Sequence, residues 1–317
     1  MPTDSFNRTK VVLLAMLLVG LAGCAEEGLP IPTQERGSDT ASSVSVADDC
    51  GVVKYGRPRE LGRFDDKRVS ESSGIARSLL HKDRFWTHND GNTPRLYCID
   101  TNGEIVGIIR LQDAEFEDCE DIASFSREGK HFILYADTGD NDLKGREYRL
   151  HLFEEPQLKG GGKKPQRVTV AMTIPFRYPD GSQNCEAVAV DPTSGKVYLA
   201  TKEPVQSTKI YELAMPTAAP ARPLEAKLIA RLDVRLAAAM DISPDGRRAM
   251  LLTDRAAFEF SRAADEDWAA AFNRSPCRLP TPPRQNGESI CYGADGKTLY
   301  LTSEGRGEPL WEIPAVE

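Results

Sequence analysis

The stretch Cys185-Glu186-Ala187-Val188-Ala189-Val190-Asp191-Pro192-Thr193-Ser194-Gly195-Lys196-Val197-Tyr198-Leu199-Ala200-Thr201-Lys202 decides the fold. A short apolar run led by a carboxylate meets an Asp/Pro/Gly turn, and a second apolar run with β-branched and aromatic residues follows. Asp and Gly at such a junction supply the positive-φ backbone of a tight hairpin. The unit recurs. Glu71-Ser72-Ser73-Gly74-Ile75-Ala76 precedes Phe85-Trp86-Thr87-His88-Asn89-Asp90, and Glu120-Asp121-Ile122-Ala123 precedes Ile133-Leu134-Tyr135-Ala136-Asp137. Met240-Asp241-Ile242-Ser243 precedes Ala249 to Asp254, and Glu288-Ser289-Ile290-Cys291 precedes Leu299 to Glu304. The turns Ser243-Pro244-Asp245-Gly246 and Ala294-Asp295-Gly296 sit at the same place in their copies.

Each pair is followed by a third apolar run: Leu96 to Ile99, Tyr148 to Phe153, Ile210 to Leu213, Ala257 to Phe260 and Leu310 to Ile313. A fourth follows at Ile105 to Leu111, Arg167 to Phe176 and Ala226 to Leu232. Four-stranded repeats of this size are propeller blades. The fold expected is all-β: one β-propeller of five blades. A sixth would have to lie in the gaps at 154–184 or 261–286, the second of which carries a helical stretch at 263–272. The last copy ends after three strands, so Arg59 to Phe64 is expected to supply the fourth and remove the open sheet edge.

Working outward, the N-terminus differs in kind. Arg8 and Lys10 precede an unbroken apolar run from Val11 to Gly23. As a helix that run spans about 20 Å, short of a bilayer core of about 30 Å, and it matches a secretion signal. Leu21-Ala22-Gly23-Cys24 resembles the bacterial lipobox. That resemblance implies cleavage after residue 23, a diacylglycerol thioether on Cys24, and a membrane partner reached through lipid. Ala25, not Asp, follows the cysteine, which by the same resemblance implies the outer membrane in a host with two. Residues 24–50, rich in Glu, Ser, Thr, Pro and Gly, read as a flexible tether. Residues 51–317 remain for the propeller.

The chain of 317 residues carries a formal charge of −8. Residues 1–23 contain Asp4, Arg8 and Lys10, so the mature chain is more acidic by one. Such a chain is a poor partner for nucleic acid or anionic lipid and a fair one for cations. Six cysteines follow Cys24, namely Cys50, Cys98, Cys119, Cys185, Cys277 and Cys291. An even count in an oxidising compartment predicts up to three disulfides. Cys119 and Cys185, each directly before a glutamate, are one conceivable pair.

In each hairpin, the start of the first strand and the end of the second lie at one edge, away from the turn. The five edges therefore meet at one mouth of the central channel. Strand starts deliver Glu71 or Ser73, Glu120 with Asp121, Glu186, Met240 with Asp241, and Glu288. Strand ends deliver His88, Asn89, Asp90, Asp137, Lys202, Asp254 and Glu304. Gathered carboxylates repel one another unless a cation sits among them. Glu120, Glu186, Glu288, Asp121 and Asp241 are the expected metal ligands, with Ca²⁺ the ion suited to oxygen donors outside the cytoplasm. Glu71, His88, Asn89, Asp90, Asp137, Lys202, Asp254 and Glu304 are the expected ligand contacts. His88, Glu120 and Glu186 are the candidates for acid–base work. The loop Asp137-Thr138-Gly139-Asp140-Asn141-Asp142 reads as a tight Asx turn at the same face. No G-x-S-x-G elbow, H-E-x-x-H, P-loop or dinucleotide fingerprint is present.

Five phrases together resemble a group of secreted bacterial β-propeller lipoproteins: Glu71 to Ala76, Trp86 to Asp90, Glu120 to Ala123, Gly139-Asp140-Asn141 and Cys185 to Val188. More distantly they are similar to phytase-like and gluconolactonase-like propellers over residues 68–315. The resemblance implies a divalent ion held by acidic residues at the mouth, with substrate above it. It carries over to Glu120, Glu186, Glu288 and Asn89. The D-D-P-A signature of the phytases is absent, which weighs against phosphate-ester hydrolysis. Two functions follow. One is a binding protein whose mouth holds a small molecule or protein, with Ca²⁺ as the bridge. The other is a metal-dependent hydrolase of phosphate esters or lactones at the same mouth.

Overall fold

A computed structural model describes residues 53–159, 164–284 and 286–316. The expected signal, the lipidation site Cys24, the tether and Cys50 lie outside the described residues.

Besides a two-stranded pairing of Lys54–Tyr55 with Ala315–Val316, the described chain forms five larger sheets whose innermost strands are Ser72–Arg77, Cys119–Arg127, Cys185–Val190, Ala237–Ile242 and Ser289–Tyr292. Each packs against the next, and the fifth packs against the first, closing a ring. The fold is a five-bladed β-propeller. The inner strands are built from small apolar residues because both their faces are covered. All six residues of Cys185–Val190 are buried. Five apolar clusters fill the five gaps between neighbouring blades, and the one holding Phe64, Ile75, Phe85, Cys291 and Leu310 joins blade five to blade one. A fully buried Leu or Phe in such a gap stabilises by about 1.5–3 kcal/mol.

Within a blade the strands meander outward antiparallel. Blade three runs from Cys185–Val190 through Val197–Thr201 and Thr208–Leu213 to Lys227–Leu232. The turns after the first strands of blades three to five place Gly195, Gly246 and Gly296 at φ of 69°, 66° and 67°. These values favour glycine.

Arg59–Arg63 pairs antiparallel with Pro309–Ile313 and completes blade five, as the sequence predicts. Among the described residues, neither gap holds a sixth blade. The expected fourth strand at 167–176 instead divides at Val170–Ala171. Gln166–Thr169 adds in parallel to the outer edge of blade one, while Met172–Arg177 completes blade two. The helix is shorter than expected, Trp268–Phe272, because Asp267 caps it by accepting from Ala270 N at 2.7 Å. Trp268 and Phe272 fill the gap between blades three and four. No helix of the described residues is long and apolar enough to cross a membrane.

The cysteine reading needs correction. Cys98, Cys119, Cys185 and Cys291 are free and buried on the strands, so three disulfides do not form and Cys119 does not pair with Cys185. Burial pushes the thiols of all four up, and Cys185 reaches about 12. They behave as small apolar residues of the blade core.

Candidate functional site

The inner hairpins of the first four blades share an irregularity. Register shifts fall between Ser72 and Gly74, Cys119 and Asp121, Cys185 and Ala187, and Ala237 and Ala239. A bulge leaves one residue unpaired and re-aims its side chain. The bulged residues are therefore Ser73, Glu120, Glu186 and Ala238, one per blade at the mouth edge. Blade four contributes no acid there. The sequence reading placed its first strand at Met240-Asp241, whereas the strand begins at Ala237, so Asp241 lies deeper.

Three carboxylates from blades one and two converge. Asp90 follows the second strand of blade one, Asp118 precedes the first strand of blade two, and Glu120 is that strand's bulged residue. Their oxygens lie within 4.8 Å of one another. Two oxygens on one Ca²⁺ can be no farther apart than about twice a bond of roughly 2.4 Å, so this spacing fits a shared ion. Glu120 is only 3 % exposed, and among the described residues its carboxylate has no hydrogen-bond or ion-pair partner. Burial pushes its pKa well up, and the charges of Glu186, Asp90 and Asp118 push it further. Asp90 is exposed and Asp118 half-buried, so the group opens to solvent.

The loop bearing Asp118 is fixed from behind. Asp137 accepts from Asp118 N at 2.7 Å and from Glu117 N at 3.1 Å. Burial raises the Asp137 pKa, but bonding to His151 and to these two N–H groups outweighs it and holds the carboxylate below its ordinary range. His151 is fully buried with Nε2 3.5 Å from Asp137 Oδ2. Gly139 closes the group from above, since a Cβ there would overlap Glu120 Oε1 and Asp118 Oδ2. Asp140 shapes the next turn by accepting from Lys144 N and Gly145 N, both at 2.8 Å. Asp137 and Asp140 thus serve the backbone.

Glu186 and Glu288 form a separate group. Lys202 Nζ stands 2.8 Å from Glu186 Oε2 and 3.2 Å from Glu288 Oε1. Asn184 Nδ2 donates to Glu186 Oε1 at 2.9 Å. Burial and neighbouring carboxylates raise Glu288 to about 7, although Lys202 opposes the shift. Glu304 is also raised, first by burial and then by Asp90. Glu71 and Asp254 reach the rim, where Asp254 lies 3.5 Å from Arg255.

Other expected site residues go elsewhere. Asp121 and Asp241, expected as metal ligands, are interior latches between blades. Asp121 accepts from Ile122 N and Val188 N at 2.8 Å, and from Met240 N at 3.4 Å. Asp241 accepts from Ile242 N and Tyr292 N, both at 2.8 Å. His88 is wholly buried. Its Nδ1 lies 3.0 Å from Asn89 O, its ring packs on Tyr135, and a Cβ on Gly74 would stand 2.7 Å from Nε2. Asn89 Oδ1 accepts from Ser70 N and Glu71 N while Nδ2 donates to Arg68 O, bracing the entry loop. Asp118 was missed, although the acidic pair Glu117-Asp118 directly before Cys119 signals it.

No protein-family model matches the chain, and no curated protein does. Among solved structures it is similar to a gluconolactonase from Xanthomonas campestris at 14% identity, covering 86% of this chain and 99% of that one with a TM-score of 0.43. A soluble aldose sugar dehydrogenase from Escherichia coli matches at 12% identity, 82% and 99% coverage and a TM-score of 0.45. An auxiliary nutrient binding protein from Bacteroides thetaiotaomicron matches at 10% identity, 83% and 73% coverage and a TM-score of 0.45. The strand topology above is what defines its fold.

Proposed function

We propose that this chain is an exported, lipid-anchored binding protein whose mouth holds a divalent cation, Ca²⁺ by its oxygen donors, and captures a small molecule or protein through it. The observation that carries the reading is Glu120: a carboxylate 3 % exposed, without a partner, facing Asp90 and Asp118 within 4.8 Å. An ionised carboxylate so buried is costly unless a cation compensates it. Ca²⁺ takes six to eight oxygens. Three carboxylates leave positions for water or for ligand oxygens, which suits a bridge between protein and ligand. Export, lipid on Cys24 and placement outside the cytoplasm rest on residues 1–24. In that compartment Cys277 is the described cysteine left for a disulfide.

A hydrolase of lactones or phosphate esters is the second reading. The upward shift of Glu120 favours it, because a buried carboxyl beside a cation-binding group can serve as acid or base. Against it, His88 is sealed away and no nucleophile–base pair faces the mouth.

The test is thermal melting of the full chain with Ca²⁺ and with EDTA, beside Glu120→Gln. Ca²⁺ is expected to raise the wild-type Tm by several degrees at about 100-fold excess over Kd and to leave the variant unmoved. Equal response of the two proteins rejects the site. Turnover of a lactone or phosphoester panel that Glu120→Gln abolishes replaces the binding reading with the enzyme.

A further inference from the structure

The outer half of blade one carries a row of like charges. It runs from Arg95–Asp100 through Ile105–Gln112 to the added strand Gln166–Thr169. Arg95 and Arg110 are register partners across the first pairing, and Arg110 and Arg167 across the second. Directly opposed residues project from the same face of a sheet, so the three arginines line up across three strands. Their neighbours identify the face. Leu96, Ile109 and Val168, one position along, pack between blades one and two. Tyr97 and Ile108 share the face of the arginines, and they pack towards blade five. Arg95 opens its strand at the mouth edge, because Leu96 pairs with His88 near the end of the second strand. The row therefore runs outward from the mouth along blade one.

Like charges directly opposite each other in a sheet are destabilising. Acids outnumber bases in this chain by 48 to 40, so carboxylates are available to offset them. They are placed on other arginines: Glu117 on Arg149, Asp191 on Arg262 and Asp245 on Arg248. Among the described residues, no carboxylate pairs with Arg95, Arg110 or Arg167, and no side-chain hydrogen bond anchors them. Arg110 and Arg167 are exposed. Arg95 is half-buried, and its Nε is closed off from water without a partner. A buried N–H in that state is unfavourable. An anion seated on the row would remove the repulsion and give the guanidinium groups a partner.

We propose that Arg95, Arg110 and Arg167 form an oxyanion-binding strip, which takes a ligand with two or three phosphate groups along blade one. A guanidinium keeps its charge at neutral pH and offers a planar fork of donors that fits phosphate oxygens. Adjacent strands lie about 4.8 Å apart, so the row spans about 10 Å. That span suits a small oligophosphate or neighbouring headgroups of an anionic bilayer, and both present the same chemistry. The strip does not depend on a cation at Asp90, Asp118 and Glu120.

The experiment uses the full chain in EDTA at constant ionic strength, as wild type, Arg110→Gln, and Arg95→Gln with Arg167→Gln. One arm follows melting with inorganic pyrophosphate. Pyrophosphate is expected to raise the wild-type Tm, with its Kd weakened about fivefold in the single variant and about 25-fold in the double one. Without any anion, Arg110→Gln is expected to melt no lower than wild type, because it removes the central repelled charge. The second arm reads the excess of binding to phosphatidylglycerol vesicles over phosphatidylcholine vesicles, since an apolar segment enters both alike. Either response, reduced in the variants, upholds the strip. A response to pyrophosphate alone assigns the phosphate groups to a soluble ligand, and a vesicle excess alone assigns them to lipid. A wild type that shows neither response overturns the inference, as does equal binding by all three proteins. An Arg110→Gln that melts several degrees lower without anion also overturns it, because the row would then be holding the blade together.

Discussion

At the residue scale, neighbours in sequence have been given opposite jobs. His88 and Asp90 are two positions apart, yet one is sealed under Gly74 and the other is exposed at the rim. His88 lies within the strand Arg84–Asn89, covered by the sheet, whereas Asp90 lies just past the strand's end. Sealing has a cost that pH reveals. Burial lowers the His88 pKa from 6.5 to about 4. Between these values the unfolded chain binds a proton at this histidine and the folded chain does not, so stability falls as pH falls through the window. The effect amounts to about 2 kcal/mol between pH 7 and pH 5. Asp241 and Glu288, both raised to about 7, act in the opposite sense, since the folded state holds their protons longer. Comparison with His88→Gln removes these shared contributions. Urea melts at pH 7 and pH 5 are expected to show a loss about 2 kcal/mol smaller in the variant. Equal losses would place His88 in solvent.

At the element scale, the bulged inner strand is the device that makes a site out of a repeat. In blade two it unpairs Glu120 at the mouth and sends the next residue, Asp121, inward to the backbone of blades three and four. The two acids should respond differently to loss of charge. Asp121→Asn places an amide donor against backbone N–H groups and is expected to destabilise by about 1–3 kcal/mol. Glu120→Gln removes a repelled charge and in EDTA should cost nothing or raise stability. Guanidinium unfolding of both variants in EDTA decides the matter, and a similar loss in each would show that the bulge does not separate their roles.

The same element shows what sequence could and could not reveal. Strand pairs with Asp/Gly turns were legible because turn chemistry and apolar alternation are local. The bulge was not, since it depends on pairing across the hairpin. Asp121 and Asp241 therefore looked like mouth residues. Ala237-Ala238-Ala239 carries no charge to mark a strand start, so blade four was read too late. Asp118 lies outside the repeat unit and is brought in by a loop that Asp137 and His151 hold, a contact between residues far apart in the chain.

At the scale of the whole molecule, ring closure is what brings these acids together. Arg59–Arg63 completes blade five, the fifth inner strand packs on the first, and carboxylates of blades one, two, three and five are brought to the mouth. On the proposed reading, Asp90, Asp118 and Glu120 hold one cation from solution, while Lys202 pairs with Glu186 and Glu288. The most direct measurement is anomalous diffraction from crystals of the protein soaked in Mn²⁺ or Tb³⁺ as a Ca²⁺ substitute. The expected result is one strong peak in the mouth, bounded by Asp90, Asp118 and Glu120, with Lys202 still between Glu186 and Glu288. A mouth without a peak, or a peak at the axis with Lys202 displaced, would contradict the account.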